Sequence, residues 1–209
     1  MRHFTTQIVL AALAVATVGC GDVARNGRSP VYLVMDSLGA IPGGASDGKA
    51  LSFLNSDVQR IDIKPAPCSE KTPCPTTYAD AGQAVFHLAM KDIGTASSPT
   101  APTTNNQVTI TRYHVVYRRA DGRNTQGVDV PYAFDGAATI TVPASGTATL
   151  GFELVRNVAK MEAPLVQLIT NPQIITTLAD VTFYGQDQVG NEIQVTGSIQ
   201  VDFGNFADR

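Results

Sequence analysis

The feature that most constrains the fold is an alternation of apolar and polar residues near the carboxyl end of the chain. The apolar positions are Ile193, Val195, Ile199, Val201 and Phe203, with Gly197 in the same series, and the polar ones are Gln194, Thr196, Ser198, Gln200 and Asp202. A period of two is typical of a strand with one buried and one solvated face. We therefore predict a strand over 193–203 whose apolar side faces the core, with a large side chain opposite Gly197.

Shorter segments of similar character precede this strand. Predicted strands cover 31–35, 83–90, 108–118, 138–142, 148–154 and 180–186. We expect the segments 138–142 and 148–154 to form a hairpin, and the turn 187–191 to pair the last two strands. Seven short strands separated by turn residues predict an all-β protein, an antiparallel β-sandwich. One helical turn is predicted at Leu165–Ile169, between two prolines.

Long loop insertions explain why the chain exceeds the roughly 100 residues of a seven-stranded sandwich. They are the glycine loop 43–48, the cysteine loop 68–74 and the segment 94–106, which is rich in Thr, Ser and Pro. The last of these is predicted to be an exposed loop. It joins strands rather than domains, because the part before it has too few strands to close a sandwich. We expect a single domain over 31–209.

The first twenty residues have the pattern of an export signal. A basic start, Met1–His3, precedes the apolar segment Ile8–Ala16, which is too short to cross a bilayer as a helix. The residues Thr17-Val18-Gly19-Cys20 resemble a bacterial lipobox, where signal peptidase II cuts before a lipid-modified cysteine. The alternative is a secreted protein that is cut after Ala16 and keeps Cys20 as a free thiol.

The lipobox resemblance implies a signal peptide over 1–19, a lipid on Cys20 and a flexible tether over 20–30. It also implies membrane attachment through that lipid in the bacterial cell envelope. Gly21 stands where an Asp would indicate inner-membrane retention, which favours the outer membrane. A durable anchor needs more than one acyl chain, and bacterial lipoproteins carry three.

Two cysteines remain once Cys20 is assigned to the lipid. Cys68 and Cys74 enclose five residues in a proline-rich segment. An even pair in an oxidising compartment predicts a disulfide. The alternative, a metal site, is weaker because no histidine lies near the two thiols.

Two segments resemble known sandwich families. Arg112–Gly122 resembles the third strand and following turn of fibronectin type III domains, and Leu178–Asn191 resembles the penultimate strand and turn of immunoglobulin-like domains. The second resemblance implies a corner hydrogen bond from Tyr184, four residues after Asp180. The chain has no tryptophan, and Gln186 stands where an antibody domain has its second cysteine. The resemblance implies an architecture and no particular activity.

The sequence contains no recognisable catalytic motif. His87 and His114 lie within predicted strands, without the neighbouring Cys, Asp or Glu that a metal or catalytic site requires. The segment Ser46–Lys49 has the S-x-x-K spacing of penicillin-binding enzymes, but it lies in a glycine loop and lacks the partner motifs. We therefore predict no catalytic residues, no cofactor and no metal.

Side chains with carboxylate or amide oxygens lie close together in one turn and in one other region. They are Asp187, Asn191 and Glu192 in one, and Asp121, Asp129 and Asp135 in the other. Calcium needs six to eight oxygen ligands, so ordinary turn hydrogen bonding is the favoured interpretation and a calcium site the alternative. Arg118, Arg119 and Arg123 are predicted to lie in a solvated turn beside Asp121.

The net charge of the chain indicates which classes of binding partner are disfavoured. Lys and Arg number 15, Asp and Glu number 18, and the net charge is −3, which argues against a nucleic-acid partner. We predict a non-catalytic, lipid-anchored envelope protein that binds a protein or a glycan, or has a structural role at the surface. The alternatives are an accessory subunit of a periplasmic secretion, pilus or transport complex, and an envelope hydrolase.

Overall fold

A computed structural model describes residues 27–45 and 48–206. The predicted signal peptide, Cys20 and the first part of the predicted tether lie outside the described residues, as do Ser46 and Asp47. The long strands are β1 (Val31–Ile41), β5 (Asp80–Met90), β8 (Val108–Arg118), β9 (Phe134–Val142), β10 (Ala148–Val155), β11 (Ile175–Asp187) and β12 (Glu192–Gly204). The short strands are β2 (Phe53–Asp57), β3 (Arg60–Asp62), β4 (Cys74–Thr76), β6 (Gly94–Thr95) and β7 (Ser98–Pro99). The helical segments are η1 (Thr104–Asn106), α1 (Asn157–Lys160) and η2 (Leu165–Ile169).

The long strands form two sheets with a common core. One sheet has the order β1-β5-β10 and the other β2-β12-β11-β8-β9. Neighbours in both are antiparallel except β2 and β12, which run parallel. Aromatic rings from the two sheets meet in the core: Phe183 packs edge-on against Phe86 and Phe152, with ring centroids 5.0 and 5.1 Å apart. The predicted all-β class is confirmed.

The predicted carboxyl-terminal strand is confirmed, together with its faces. It pairs with β11 from Phe203 opposite Ile175 to Glu192 opposite Gln186. Its inward apolar residues are buried in the second half of the strand and half-buried in the first, whereas Gln200 is exposed. An added Cβ at Gly197 would lie 2.6 Å from Met35 Sδ. The predicted large neighbour opposite the glycine is therefore present.

The predicted hairpin between 138–142 and 148–154 is wrong. The first segment belongs to β9, which pairs with β8 in the five-stranded sheet. The second is β10, which pairs with β5 in the three-stranded sheet. Alternation with threonine marks a buried face in both segments but does not specify a partner strand. The turn 143–147 consequently carries the chain from one sheet to the other.

Two tyrosines of β8 tie the sheets together. The buried Tyr117 hydroxyl donates to the Leu154 carbonyl at 2.6 Å, and the Tyr113 hydroxyl accepts the Glu153 N–H at 3.2 Å. Burial raises the pKa of Tyr117 far above its ordinary value. The described hydrogen bonds include no corner bond from Tyr184, so that implication of the immunoglobulin-like resemblance is not met, and the inter-sheet bonds come from β8 instead.

The cysteine pair, the helical turn and the exposed segment 94–106 agree with the sequence predictions. Cys68 and Cys74 form a disulfide with a Cα–Cα distance of 5.4 Å, and the helical turn at Leu165–Ile169 is present as a 3-10 helix. Residues 94–106 are almost wholly exposed and carry only the small β6–β7 ladder and η1. The end of the predicted tether lies against β5, where the Lys91 N–H donates to the Pro30 carbonyl at 2.9 Å.

Candidate functional site

A β-bulge shapes the outward face of the five-stranded sheet. Arg112 lies opposite Tyr184, but the next pair along β8 and β11 is Ile110 with Gly185, so Thr111 has no counterpart. Two consecutive residues, Thr111 and Arg112, are therefore exposed on a strand that otherwise alternates. Bulges of this kind redirect side chains and are often found next to functional sites.

Gly185 lets β11 lie close to the bulged strand. A Cβ at this position would lie 2.6 Å from the Thr109 carbonyl oxygen and 3.0 Å from Ile110 Cα. Both atoms belong to the backbone, so a larger residue would push the strands apart. The glycine and the bulge together leave a depression in a face that is elsewhere covered by side chains.

This depression is the first groove, with a cavity volume of about 210 Å³. Its lining residues are Thr111, Arg112, Tyr184, Gly185, Gln186, Glu192, Ile193 and Gln194. The Arg112 guanidinium lies over the Tyr184 ring, 3.8 Å from the centroid, and Nη1 donates to Asp135 at 3.3 Å. These two contacts fix the position of a charged side chain at the rim of the groove.

A second groove of about 270 Å³ lies on the other side of the start of β12. It is lined by Gly27, Val31, Tyr32, Leu33, Lys91, Glu192, Ile193 and Gln194. The Lys91 ammonium lies 5.3 Å from the centroid of the Tyr32 ring and donates to the Gly27 carbonyl at 2.8 Å. Each groove therefore holds a tyrosine with a cation above it, and the two share the first three residues of β12.

The polar side chains on the outward face of the five-stranded sheet have hydrogen-bond partners away from the grooves, but several of those in the grooves do not. Away from the grooves they bond to each other: Thr182 with Thr196 at 2.8 Å, and Ser198 donating to Asp180 at 2.6 Å. The hydrogen bond from Arg118, assisted by the one from Ser198, lowers the pKa of Asp180. This part of the face is saturated by its own side chains.

In the grooves, by contrast, several polar side chains have no hydrogen-bond partner among the described residues. They are Thr111, Gln186, Glu192, Gln194 and the Tyr184 hydroxyl. Four of these residues are exposed and Tyr184 is half-buried. Sequence reasoning placed Gln194 on the polar side of β12 but missed the grooves. A signal was present, since Thr111-Arg112 interrupts the alternation of its strand.

The two predicted strand histidines occupy half-buried positions. His87 Nδ1 lies 2.7 Å from Asp36 Oδ1, and His114 Nδ1 lies 3.2 Å from Asp135 Oδ1. Each histidine thus has one carboxylate neighbour on an adjacent strand. In the part of the chain that the structure describes, no group of three or more His, Cys, Asp or Glu residues could hold a metal ion.

Asp187, Asn191 and Asp121 take part in turn hydrogen bonding, as the favoured interpretation expects, whereas Glu192 and Asp135 lie in strands β12 and β9. Asp187 accepts the N–H groups of Val189 and Asn191 at 3.1 and 2.9 Å, and the Asn191 side-chain amide at 2.8 Å. Burial opposes ionisation of Asp187, but these hydrogen bonds outweigh it and lower the pKa. Asp121 is held between Arg119 and Arg123, which lower its pKa strongly.

One cluster has the residue types of a catalytic site but lies inside the protein. Lys160 Nζ is 2.8 Å from Asp80 Oδ2, and the Ser56 hydroxyl donates to the same oxygen at 2.6 Å. Asp80 Oδ1 accepts the Gly43 N–H at 2.7 Å, and Lys160 also donates to the Asp57 carbonyl at 2.8 Å. Asp80 and Lys160 are each 1% exposed and Ser56 is 0% exposed. No substrate reaches these groups, so the cluster joins α1 to β2 and β5 as a structural ion pair.

A third depression of about 450 Å³ lies beside η2. Val128 and Ile174 line it and are strongly exposed for their type, at 67% and 61%. Arg119 and Arg123 lie at the same depression. It therefore combines strongly exposed apolar side chains with charged surface.

A comparison with models of known protein families gives no match, and a comparison with curated proteins gives none either. No helix within the described residues is long and apolar enough to span a membrane. The functional proposal therefore depends on the sequence pattern and on the geometry described above.

Proposed function

We propose that the chain is a lipid-anchored module of the bacterial cell envelope built on a fibronectin type III-like or immunoglobulin-like sandwich. The sheet orders support this architecture. The β1-β5-β10 sheet corresponds to strands A, B and E of that fold, and β12-β11-β8 to strands G, F and C. Strand β9 pairs with β8, not with β10, which sets the chain apart from the constant-type immunoglobulin arrangement.

The proposed activity is non-catalytic binding of a glycan or a protein at two grooves beside the start of β12, one on the outward face of the five-stranded sheet and the other between β12 and β1. The observation that carries the proposal is the set of unpartnered polar side chains in two grooves that share the start of β12. The other clusters of polar side chains are not available to a ligand. Ser56, Asp80 and Lys160 are buried, and Asp187 is hydrogen-bonded within its turn. The envelope hydrolase is accordingly the weaker alternative, because the grooves contain one carboxylate rather than a catalytic pair.

The lipid anchor is tested by intact-mass measurement of protein extracted from membranes. The proposal predicts a mature chain that begins at Cys20 and carries the added mass of acyl chains. Replacement Cys20→Ser should move the protein from the detergent phase to the soluble fraction. A chain that begins at Thr17 with no added mass would contradict the anchor.

The binding activity is tested with the Cys20→Ser protein and isolated cell-envelope material. Sedimentation of the protein with untreated material is the expected result. Periodate destroys glycans with vicinal diols, and protease destroys protein partners, so treating the material with each reagent identifies the class of partner. Absence of co-sedimentation under all conditions would contradict the proposed binding function.

A second candidate is an accessory subunit of a periplasmic complex, for which the third depression is the supporting observation. Its exposed Val128 and Ile174 suit a protein partner better than a glycan. Strand addition at the three-stranded sheet is disfavoured because both of its edge strands, β1 and β10, carry a register irregularity. Val128→Asp should abolish co-purification of a partner if this candidate is correct, and leave it unchanged otherwise.

A further inference from the structure

We infer that the two grooves form one elongated site for a neutral oligosaccharide. This inference rests on the proposed binding function and specifies its ligand. It is carried by the hydrogen-bonding chemistry of the grooves, their charge balance and the way they meet at β12.

The hydrogen-bonding groups of the first groove match a ligand rich in hydroxyls. Gln186 and Gln194 each present a carbonyl acceptor and an amide donor, and Thr111 presents a hydroxyl that can do both. A sugar hydroxyl likewise donates and accepts, so every one of these groups can be matched by a single type of ligand group. A phosphate or carboxylate ligand, which only accepts, would leave the amide carbonyls unpaired.

The charges of the site cancel. Arg112 is paired with Asp135, and the second groove contains both Lys91 and Glu192. An anionic ligand would meet Glu192 at the point where the two grooves join, and a cationic one would meet Lys91. The charge balance therefore favours a neutral ligand.

The shape of the site favours a ligand of several linked sugar rings over a single small molecule. Each groove is smaller than the roughly 300–1,000 Å³ of a site for a drug-sized ligand, so each suits about one sugar ring. Both are lined by Glu192, Ile193 and Gln194. A ligand that occupies both grooves passes the exposed side chains of Glu192 and Gln194, while Ile193 between them is half-buried on the inward side of β12.

Tyr32 supplies a contact for the apolar face of a sugar ring, whereas the face of the half-buried Tyr184 ring is covered by the Arg112 guanidinium. Aromatic rings have a negative face that attracts C–H and cationic groups. Arg112 and Lys91 lie over Tyr184 and Tyr32 and limit the rotation of each ring. Tyr32 is 57% exposed, so most of its surface is accessible to a ligand in the second groove.

The test is titration calorimetry of the Cys20→Ser protein with neutral oligosaccharides of one to six rings, namely malto-, cello- and chito-oligosaccharides. A uronic acid oligomer serves as the acidic control. We expect affinity for at least one neutral series to rise with length until both grooves are filled, and the acidic oligomer to bind at least tenfold more weakly.

Variants separate the two ends of the site. Gln194→Ala, which removes a group common to both grooves, should weaken binding by about tenfold. Tyr32→Ala should weaken binding of the longest oligomers and leave one-ring ligands unaffected. The matched control is Gln200→Ala, which lies on the same outward side of β12 but outside the grooves and should change affinity less than twofold.

Two results would overturn the inference, and they differ from failure of the proposed function. Envelope binding that is lost after protease but survives periodate would leave a binding module whose ligand is a protein. Equal effects of Gln194→Ala and Gln200→Ala on oligosaccharide affinity would place the glycan site outside the grooves. If the protein binds no envelope material at all, both the function and the inference fail.

Discussion

The two ends of β12 carry the same alternating pattern and differ in what surrounds them. At the carboxyl end, Ile199, Val201 and Phe203 are almost completely buried, and β2 pairs alongside, bringing Ser56 opposite Phe203. At the amino end, Ile193 and Val195 are only half-buried and the two grooves open on either side. One end of the strand is enclosed by the protein, and the other is left accessible.

The two ends of β12 also differ in whether the polar groups near them have hydrogen-bond partners, and not only in how deeply their apolar residues are buried. Near the enclosed end, Asp80 has Ser56, Lys160 and the Gly43 N–H as partners. At the accessible end, Gln186 and Gln194 have none among the described residues. Buried polar groups must be satisfied internally, whereas exposed ones can exchange water for a ligand. The enclosed end therefore contributes stability, and the accessible end is available for binding.

Breaking the buried ion pair should have the largest effect. Lys160→Met removes the cation and leaves the Asp80 carboxylate buried without its partner, which should cost about 3–5 kcal/mol of unfolding free energy. Urea unfolding followed by circular dichroism measures the loss. The matched control, Arg123→Met, breaks an exposed pair and should have no measurable effect. A loss below about 1 kcal/mol for Lys160→Met would contradict the structural role of the pair.

The apolar residues of β12 give the next largest contrast. Ile199→Ala creates a cavity in the enclosed end and should cost about 2–5 kcal/mol. Ile193→Ala truncates the same side chain where it is already half solvated, so less than half of that loss is expected. The same urea titration measures both variants. Equal losses would mean that the amino end is as well enclosed as the carboxyl end.

The sequence predicts the side of β12 that each residue occupies, because alternation is a local property of a strand. It does not predict depth, because depth depends on which other elements cover the strand. Met35 and Leu38 of β1 come from the opposite end of the chain and pack over Gly197. For the same reason, the alternation of 138–142 and 148–154 was compatible with a hairpin that does not form.

The residues that sequence reasoning missed break local rules. Lys160 is a residue type that is almost never fully buried, and its partners Asp80 and Asp57 are 80 and 103 positions away in the chain. The bulge at Thr111 shows in the sequence as two successive polar residues in a strand, but its function depends on Gly185 and on the position of β11. Contacts between residues so far apart in the chain are determined by the tertiary structure, and local sequence patterns do not reveal them.

The turn between β11 and β12 makes the stability of the protein depend on pH through Asp187. The lowered pKa of Asp187 means that the folded state favours its ionised form more than the unfolded chain does. Its contribution is therefore fully present above the ordinary value near 3.9 and is lost as the pH falls through the lower folded value. Asp187→Ala should cost about 1.5 kcal/mol at pH 7, and the difference from the unsubstituted protein should shrink below about pH 4.

Unfolding curves of both proteins, recorded between about pH 2.5 and 7, check this dependence. This range includes roughly the pH values at which carboxylates titrate. Asn191→Ala is a useful companion because it removes one side-chain donor to Asp187 and keeps the carboxylate. A difference between Asp187→Ala and the unsubstituted protein that stays constant down to the lowest pH would contradict the role of the ionised group.

The most direct test of the account compares Gln194→Ala with Gln200→Ala in both unfolding and envelope binding. The two glutamines lie on the same outward face of the same strand, but Gln194 lines the grooves, whereas Gln200 lies outside them and donates to Asp202 at 2.8 Å. We predict that both variants unfold within about 0.5 kcal/mol of the unsubstituted protein, and that only Gln194→Ala weakens binding to envelope material, by about tenfold. Equal binding by the two variants would contradict the claim that the accessible end of β12 is the binding site.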